Sequence, residues 1–424
     1  MVGWSNDSMP MIAAVTSLFS LLLGTAILLG GIGLLGTLLG VRGTLEGFSQ
    51  SEIGVMMSAY FAGYVVGTQA VPSMIRRVGH IRAFAAMAAV AAAAAISHAL
   101  FVTPVAWMVL RAVMGVCVVG LYMVIESWLN ANAPNERRGQ VMAIYMSVTL
   151  LAMAGGQYLM LLAPVAGFEL FALTTILMVM ALVPIALTRI DQPAVIEHHG
   201  LRIRRLFQVS PLGVAGAFVT GVANSSFFGM AAVFAAGIGL DAPRIAAFMS
   251  VTILGGALLQ WPLGHISDRY DRRKVLTLNC AAAALLGGVA YGVMDHSLTG
   301  LLVCMFLYGG LAFAAYSLSV AHVNDHLPSS LALEASSGLL LIYGAGSVLG
   351  PAVVGVLMDA FGVSMLLLYF AGAFGALTLF ALYRMTVAAP VSLEDQGSFV
   401  AVMRTSPAVL ELDPRSHLEE KSTP

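Results

Sequence analysis

Charge is scarce in this chain. Of its 424 residues only 10% are Asp, Glu, Lys or Arg, against 59% that are hydrophobic, and the mean hydropathy is +0.91. A water-soluble domain carries about a quarter of its residues as charges to cover its surface, so a soluble fold is excluded. Cysteine is nearly missing too. Cys117, Cys280 and Cys304 are odd in number and each lies inside an apolar run, which argues against a disulfide framework or a thiolate metal site and leaves apolar packing as their role. There is no Gly-rich phosphate loop of the Walker type, no His-Glu-x-x-His and no Gly-x-Ser-x-Gly. An ATP-driven pump, a zinc hydrolase and a serine hydrolase therefore lack their chemistry. The expectation is a non-enzyme with no metal and no cofactor.

What the chain has is apolar length. A bilayer core of ~30 Å needs about 20 apolar residues in helix. Twelve such runs lie at 12–38, 51–72, 82–103, 105–129, 138–162, 168–189, 211–236, 244–262, 275–294, 299–322, 334–358 and 363–385. No Lys or Arg precedes the first run, and it exceeds the apolar core of a signal peptide, so it reads as a retained helix. Lys and Arg are held in cytoplasmic loops. With the N-terminus inside, all 20 of them fall on that side except Arg42, Arg244 and Arg111, and Arg111 lies within the fourth run. The expected protein is multi-pass in the plasma membrane, with both termini cytoplasmic. Trp107, Trp128 and Trp261 stand at run ends, where interfacial rings are expected.

The chain also repeats itself. One shift lays Ile245, Ser250, Gly255 and Asp268-Arg269 over Ile53, Ser58, Gly63 and Arg76-Arg77. A shift two residues longer lays Gly309, Tyr316 and Asn324 over Gly115, Tyr122 and Asn130. Two six-helix halves are expected, 1–190 and 211–386. A polar connection at 191–210 joins them, and a polar tail at 387–424 reads as mobile.

A charge inside a span costs about 2.5 kcal/mol or more and is a functional candidate by default. Only Arg111 and Glu126 lie well inside one, on the same helix, and 15 residues of helix separate them by about 22 Å, so they cannot pair. Glu126 stands beside Trp128 near the cytoplasmic end, where gating and proton binding are both open. Asn224, Tyr316, Gln157, Tyr60, Tyr64 and Gln260 could bond a solute or equally bond across helices.

One dense charged loop, Gly264-His-Ile-Ser-Asp268-Arg269-Tyr-Asp-Arg272-Arg273-Lys274, interrupts the apolar second half. With Arg111-Ala-Val-Met-Gly115 in the fourth run and Gly344, Gly346 and Gly350-Pro351 in the eleventh, it closely resembles the signature of the major facilitator superfamily of secondary transporters. Glu126-Ser-Trp-Leu-Asn130, Arg138-Gly139, Tyr145 and Ser336-Ser337-Gly338 look like the YcaD-like bacterial permeases.

The resemblance implies an all-α membrane protein with twelve transmembrane helices in two pseudo-symmetric six-helix bundles, and a permease working by alternating access. It places Arg111 and Tyr122 on a central cavity. With one buried Arg and no deep carboxylate, that cavity suits a small neutral or anionic solute. Implied partners are that solute and the lipid bilayer, with proton coupling open and no nucleic acid; a monomer is expected. A non-transporting sensor or scaffold on the same fold is the rival reading. By resemblance Asp268, in the loop with Arg269 and Arg272, faces Arg137 and Arg138 at the start of the fifth helix when the inner side is closed. The first-half copy departs from the family: Pro72 replaces Gly and Arg76 replaces Asp. The symmetry mate of the Asp268 contact joins the second helix to the start of the eleventh, and its two positions carry Arg76 and Glu334, as if the pair had exchanged signs.

Overall fold

The computed structural model describes residues 8–133, 137–187, 203–328, 331–387, 389, 391–394 and 396–412. Among these every long regular element is a helix: α1 (Ser8–Leu45), α2 (Gln50–Val78), α3 (His80–Leu100), α4 (Pro104–Asn132), α5 (Arg138–Tyr158), α6 (Glu169–Met180) continued by α7 (Leu182–Ala186), a short α8 (Ile203–Val209), α9 (Pro211–Gly237), α10 (Ala242–Ser267), α11 (Arg272–Val293), α12 (Leu298–Asn324), α13 (Ala332–Phe361) and α14 (Met365–Val387). Among the described residues eleven spans are long and apolar enough to cross a membrane. The twelfth, α2, has 29 residues but a more polar face, because Tyr60, Tyr64, Thr68 and Gln69 are turned into a cavity. Most of the polar connection at 191–210 lies outside the described residues.

Local chemistry starts these helices. Thr103 before Pro104, Ser210 before Pro211 and Asp241 before Ala242-Pro243 each accept from the backbone N–H of the third residue of the helix that follows. Ser49 and Glu52 form a reciprocal capping box at α2. Gly79, at φ 84°, makes the left-handed turn between α2 and α3 that a side chain would strain.

The repeat becomes geometry where helices cross. On the α2–α4 crossing, a Cβ on Gly63 would lie 1.9 Å from the Ala112 carbonyl and one on Gly115 2.0 Å from that of Tyr60. On the α10–α12 crossing, a Cβ on Gly255 would lie 1.8 Å from the Phe306 carbonyl and one on Gly309 2.0 Å from that of Thr252. These are the glycines that the two shifts superpose. Backbones in contact are how helices associate in lipid, where apolar burial supplies no drive.

The bundles meet along α2–α13 and α5–α10. At one end they are sealed. Gly54 packs on the Pro351 carbonyl and Gly355 on that of Gln50. Asp359, at the end of α13, accepts hydrogen bonds from the backbone N–H groups of Gln50 and Ser51, each at 2.8 Å, and so caps α2 across the bundle boundary. At the end that carries the basic loops, the bundles part around a cavity.

Two expectations are corrected. Trp107 and Trp128 are not interfacial rings: both are fully buried. Trp107 packs between Phe48 and His98 and Trp128 against His80 and Phe84. Run ends in a long helix can still turn inward, and of these three rings Trp261 alone is exposed. Residues 396–409, expected to be part of a mobile tail, instead enter the cavity, with Val402, Thr405, Ser406 and Val409 buried.

Candidate functional site

Four helices of the first bundle build most of the site. A cavity of about 610 Å³ lies between the bundles, walled by α1, α2, α4 and α5 on one side and by parts of α9, α10 and α13 on the other. Arg111 reaches it from the sealed end. The guanidinium sits 4.2 Å over the Tyr60 ring, Arg111 is buried, and its Nε has no hydrogen-bond partner among the described residues. No carboxylate there neutralises it, since the ion pairs of that set join Arg42 to Glu46, Arg244 to Asp241, Arg272 to Asp268 and Asp325, and Arg273 to Asp271. A desolvated cation over an aromatic face gains about 2 kcal/mol, which leaves most of its hydrogen-bonding capacity available to something that enters the cavity.

From Arg111 an aromatic column descends along α2 and α4: Tyr60 to Tyr64 at 6.0 Å and Tyr64 to Tyr122 at 6.5 Å between ring centroids. It ends at Glu126. This carboxylate is fully buried and accepts hydrogen bonds from the Tyr145 hydroxyl at 2.8 Å and from the Thr405 and Ser406 hydroxyls of the C-terminal segment. The neighbour that matters is therefore Tyr145, not Trp128.

The remaining expected residues divide. Gln157 lines the cavity, but its amide is engaged: Nε2 donates to the carbonyls of Gly33 (3.2 Å) and Met153 (3.1 Å), and Oε1 accepts from Thr37. It ties α5 to α1. Asn224 and Tyr316 are buried behind the wall, and the Asn224 amide and the Tyr316 hydroxyl have no partner among the described residues. The Tyr316 ring packs edge-on against Tyr343, 5.1 Å away, and Tyr343 does line the cavity.

The charged loop organises around Arg272, which is 1% exposed. Its Nε donates to the Ser267 hydroxyl at 3.0 Å, its Nη2 to Asp268 at 3.2 Å and its Nη1 to Asp325 at 2.5 Å. Burial pushes the Asp325 carboxyl above the usual carboxylate range, against the opposing pull of Arg272. Arg269, Arg76 and Glu334 are exposed at the same end. Nε and Nη1 of Arg138 are buried without a partner among the described residues.

Sequence reasoning missed Asp325, Thr37, Tyr343 and the segment around Thr405. For the segment a signal existed, since Phe399-Val-Ala-Val-Met403 and Pro407-Ala-Val-Leu410 are apolar stretches inside an otherwise polar terminus.

The model of the Major Facilitator Superfamily matches residues 14–332 and again 213–410. The chain belongs to that superfamily. It is similar, at 27% identity over 83% of this chain and 91% of the relative, to an uncharacterized MFS-type transporter, YcaD, of Escherichia coli. It is 26% identical, over the same shares, to an uncharacterized MFS-type transporter of an Enterobacter species. Among solved structures its fold is similar to the nucleoside transporter NupG (TM-score 0.71, 15% identity, 87% of this chain, 98% of that one). It is similar as well to a bacterial homolog of the human lysosomal transporter Spinster (TM-score 0.71, 13% identity, 90% and 98%). The protein is thus a multi-pass membrane protein of a transporter family, with the superfamily's two-bundle fold.

Proposed function

We propose that this superfamily member is a secondary permease of the bacterial inner membrane that moves a small neutral or anionic solute by rocking its two bundles about the central cavity. The observation that carries this reading is Arg111: a buried guanidinium on the cavity wall, resting on Tyr60 and without a carboxylate partner among the described residues. A cationic solute would be repelled there, whereas an anion or a hydroxyl or carbonyl acceptor would complete its hydrogen bonds. The basic loops put the open end, and both termini, in the cytoplasm, so the described state faces inward. Closing that end would carry Asp268 toward Arg138, the start of α5, where a helix N-terminus favours an anion. Any coupled proton would be carried by Glu126, the one buried carboxylate on the aromatic column.

The test is movement of solute by the purified protein in proteoliposomes, across a panel of labelled anions and neutral metabolites. At least one should move down an imposed gradient and raise the apparent unfolding temperature by mass action. No movement across the whole panel would overturn the permease reading and favour a sensor on the transporter fold.

A further inference from the structure

The C-terminal segment makes more specific contacts than a passing loop would. It enters at the charged loop, where the Gly397 N–H donates to Asp325 at 3.1 Å and the Gly397 carbonyl accepts from Arg272 at 2.7 Å. The Phe399 N–H donates to Asp268 at 2.6 Å, and the Phe399 ring lies on Gly264 so closely that a Cβ there would be 2.3 Å away. Deeper, the Val402 N–H donates to the Ser317 hydroxyl at 3.1 Å. Arg404 donates to the Phe313 carbonyl and lies 5.1 Å over that residue's ring. All of these partners belong to the second bundle. The next two residues cross to the first. The Thr405 carbonyl accepts from Tyr64, and the hydroxyls of Thr405 and Ser406 both donate to Glu126.

We infer that the cavity mouth is a binding groove for residues 397–409 of this same chain, which act as a tethered plug joining the two bundles. Three features select this occupant. The charged loop offers paired donors and acceptors that match a peptide backbone. Gly264 leaves room for the Phe399 ring. A buried carboxylate with no basic partner among the described residues is satisfied by hydroxyl donors, and the segment presents two in succession. A tethered segment holds such a groove at an effective concentration in the millimolar range, so modest affinity keeps it seated. Because the plug spans both bundles, the open end cannot close around it, and it covers the way to Arg111. It also takes the groups, Tyr64 and Glu126, that a solute would meet. The effect on transport rests on the permease reading above; the plug itself does not.

The test therefore reads access rather than transport. A cysteine is placed at Gly36, which lines the cavity and has nothing within 4 Å of an added Cβ, in a background carrying Cys117→Ala, Cys280→Ala and Cys304→Ala. Inside-out vesicles are treated with a membrane-impermeant maleimide. The full chain should label at least tenfold more slowly than a chain ending at residue 389. A Thr405→Val, Ser406→Ala double variant, which keeps the whole terminus and so guards against a folding defect, should fall between. A synthetic peptide of residues 397–412 at millimolar concentration should restore protection to the shortened chain. Independently, Val402→Cys with Ser317→Cys should form a disulfide in membranes, and while it is intact the Gly36 cysteine should label more slowly than in the full chain without the crosslink. Equal labelling of the full, shortened and double-variant chains, or no disulfide under oxidation, would overturn the plug. If proteoliposomes move no solute while these access differences persist, the plug stands and only the permease reading falls.

Discussion

Replacing Arg111 separates a structural cation from a working one. Arg111→Met removes the contact with Tyr60 at 4.2 Å, worth about 2 kcal/mol when desolvated. It also removes a buried charge that costs about 2.5–3.5 kcal/mol at the centre of a membrane helix. The two nearly cancel, with the balance on the side of stabilisation. Because Met fills much of the vacated volume, unfolding in detergent should move by less than about 1.5 kcal/mol, roughly one to two degrees in Tm for a chain of this length. Transport should move far more. A hydrogen bond from a charged group to an anionic solute contributes about 1.5–3 kcal/mol, so its loss should raise KM roughly 10- to 150-fold. Arg111→Lys should recover little, because a point charge does not replace a planar fork that rests on a ring. The assays are thermal unfolding and proteoliposome flux on the same preparations. Wild-type flux in Arg111→Met, or a stability loss above about 3 kcal/mol, would refute the reasoning and make Arg111 a structural cation.

Three further outcomes are expected. Asp325→Asn leaves the 1%-exposed Arg272 short of its 2.5 Å partner and should cost about 3–5 kcal/mol, as breaking a buried ion pair does; Asp268→Asn, whose carboxylate is 37% exposed, should cost clearly less in the same thermal melts. Asp359→Ala removes the cap that α13 places on α2 across the sealed end, a loss of about 1 kcal/mol that should shift the population about fivefold toward the outward-open form, seen as faster maleimide labelling of a Gly36 cysteine from the periplasmic face. Arg76→Glu and Glu334→Arg should each impair transport and the double swap should recover part of it; a double no better than the worse single would show that these exposed charges do not meet when the inner side closes.

The repeat was legible in sequence because it rests on backbone approach. Gly63, Gly115, Gly255 and Gly309 stand where any Cβ would meet a carbonyl at about 2 Å, so the residue type betrays the crossing. Span number and basic-loop asymmetry were legible for a similar reason: desolvating backbone and charge in lipid is so costly that composition alone must obey it. Arg111 and Glu126 stood out on the same ground. Gln157, Asn224 and Tyr316 did not resolve, since a polar residue on a span looks the same whether it faces a cavity, as Gln157 does while clamping α1 to α5, or lies behind the wall, as the other two do.

What the sequence by itself determined, then, is the class of object: a twelve-span membrane protein of two like halves, with one buried cation and one buried carboxylate on its fourth span. Tertiary structure alone decided what those two groups meet. Glu126 finds Tyr145 on the next helix and Thr405 and Ser406, far away along the chain, and Asp325 joins the charged loop through Arg272 across the α11–α12 boundary. The physical reason is range. Hydropathy and steric exclusion act on each residue where it stands and leave a local mark, whereas a hydrogen bond between distant segments depends on both partners and leaves none on either alone.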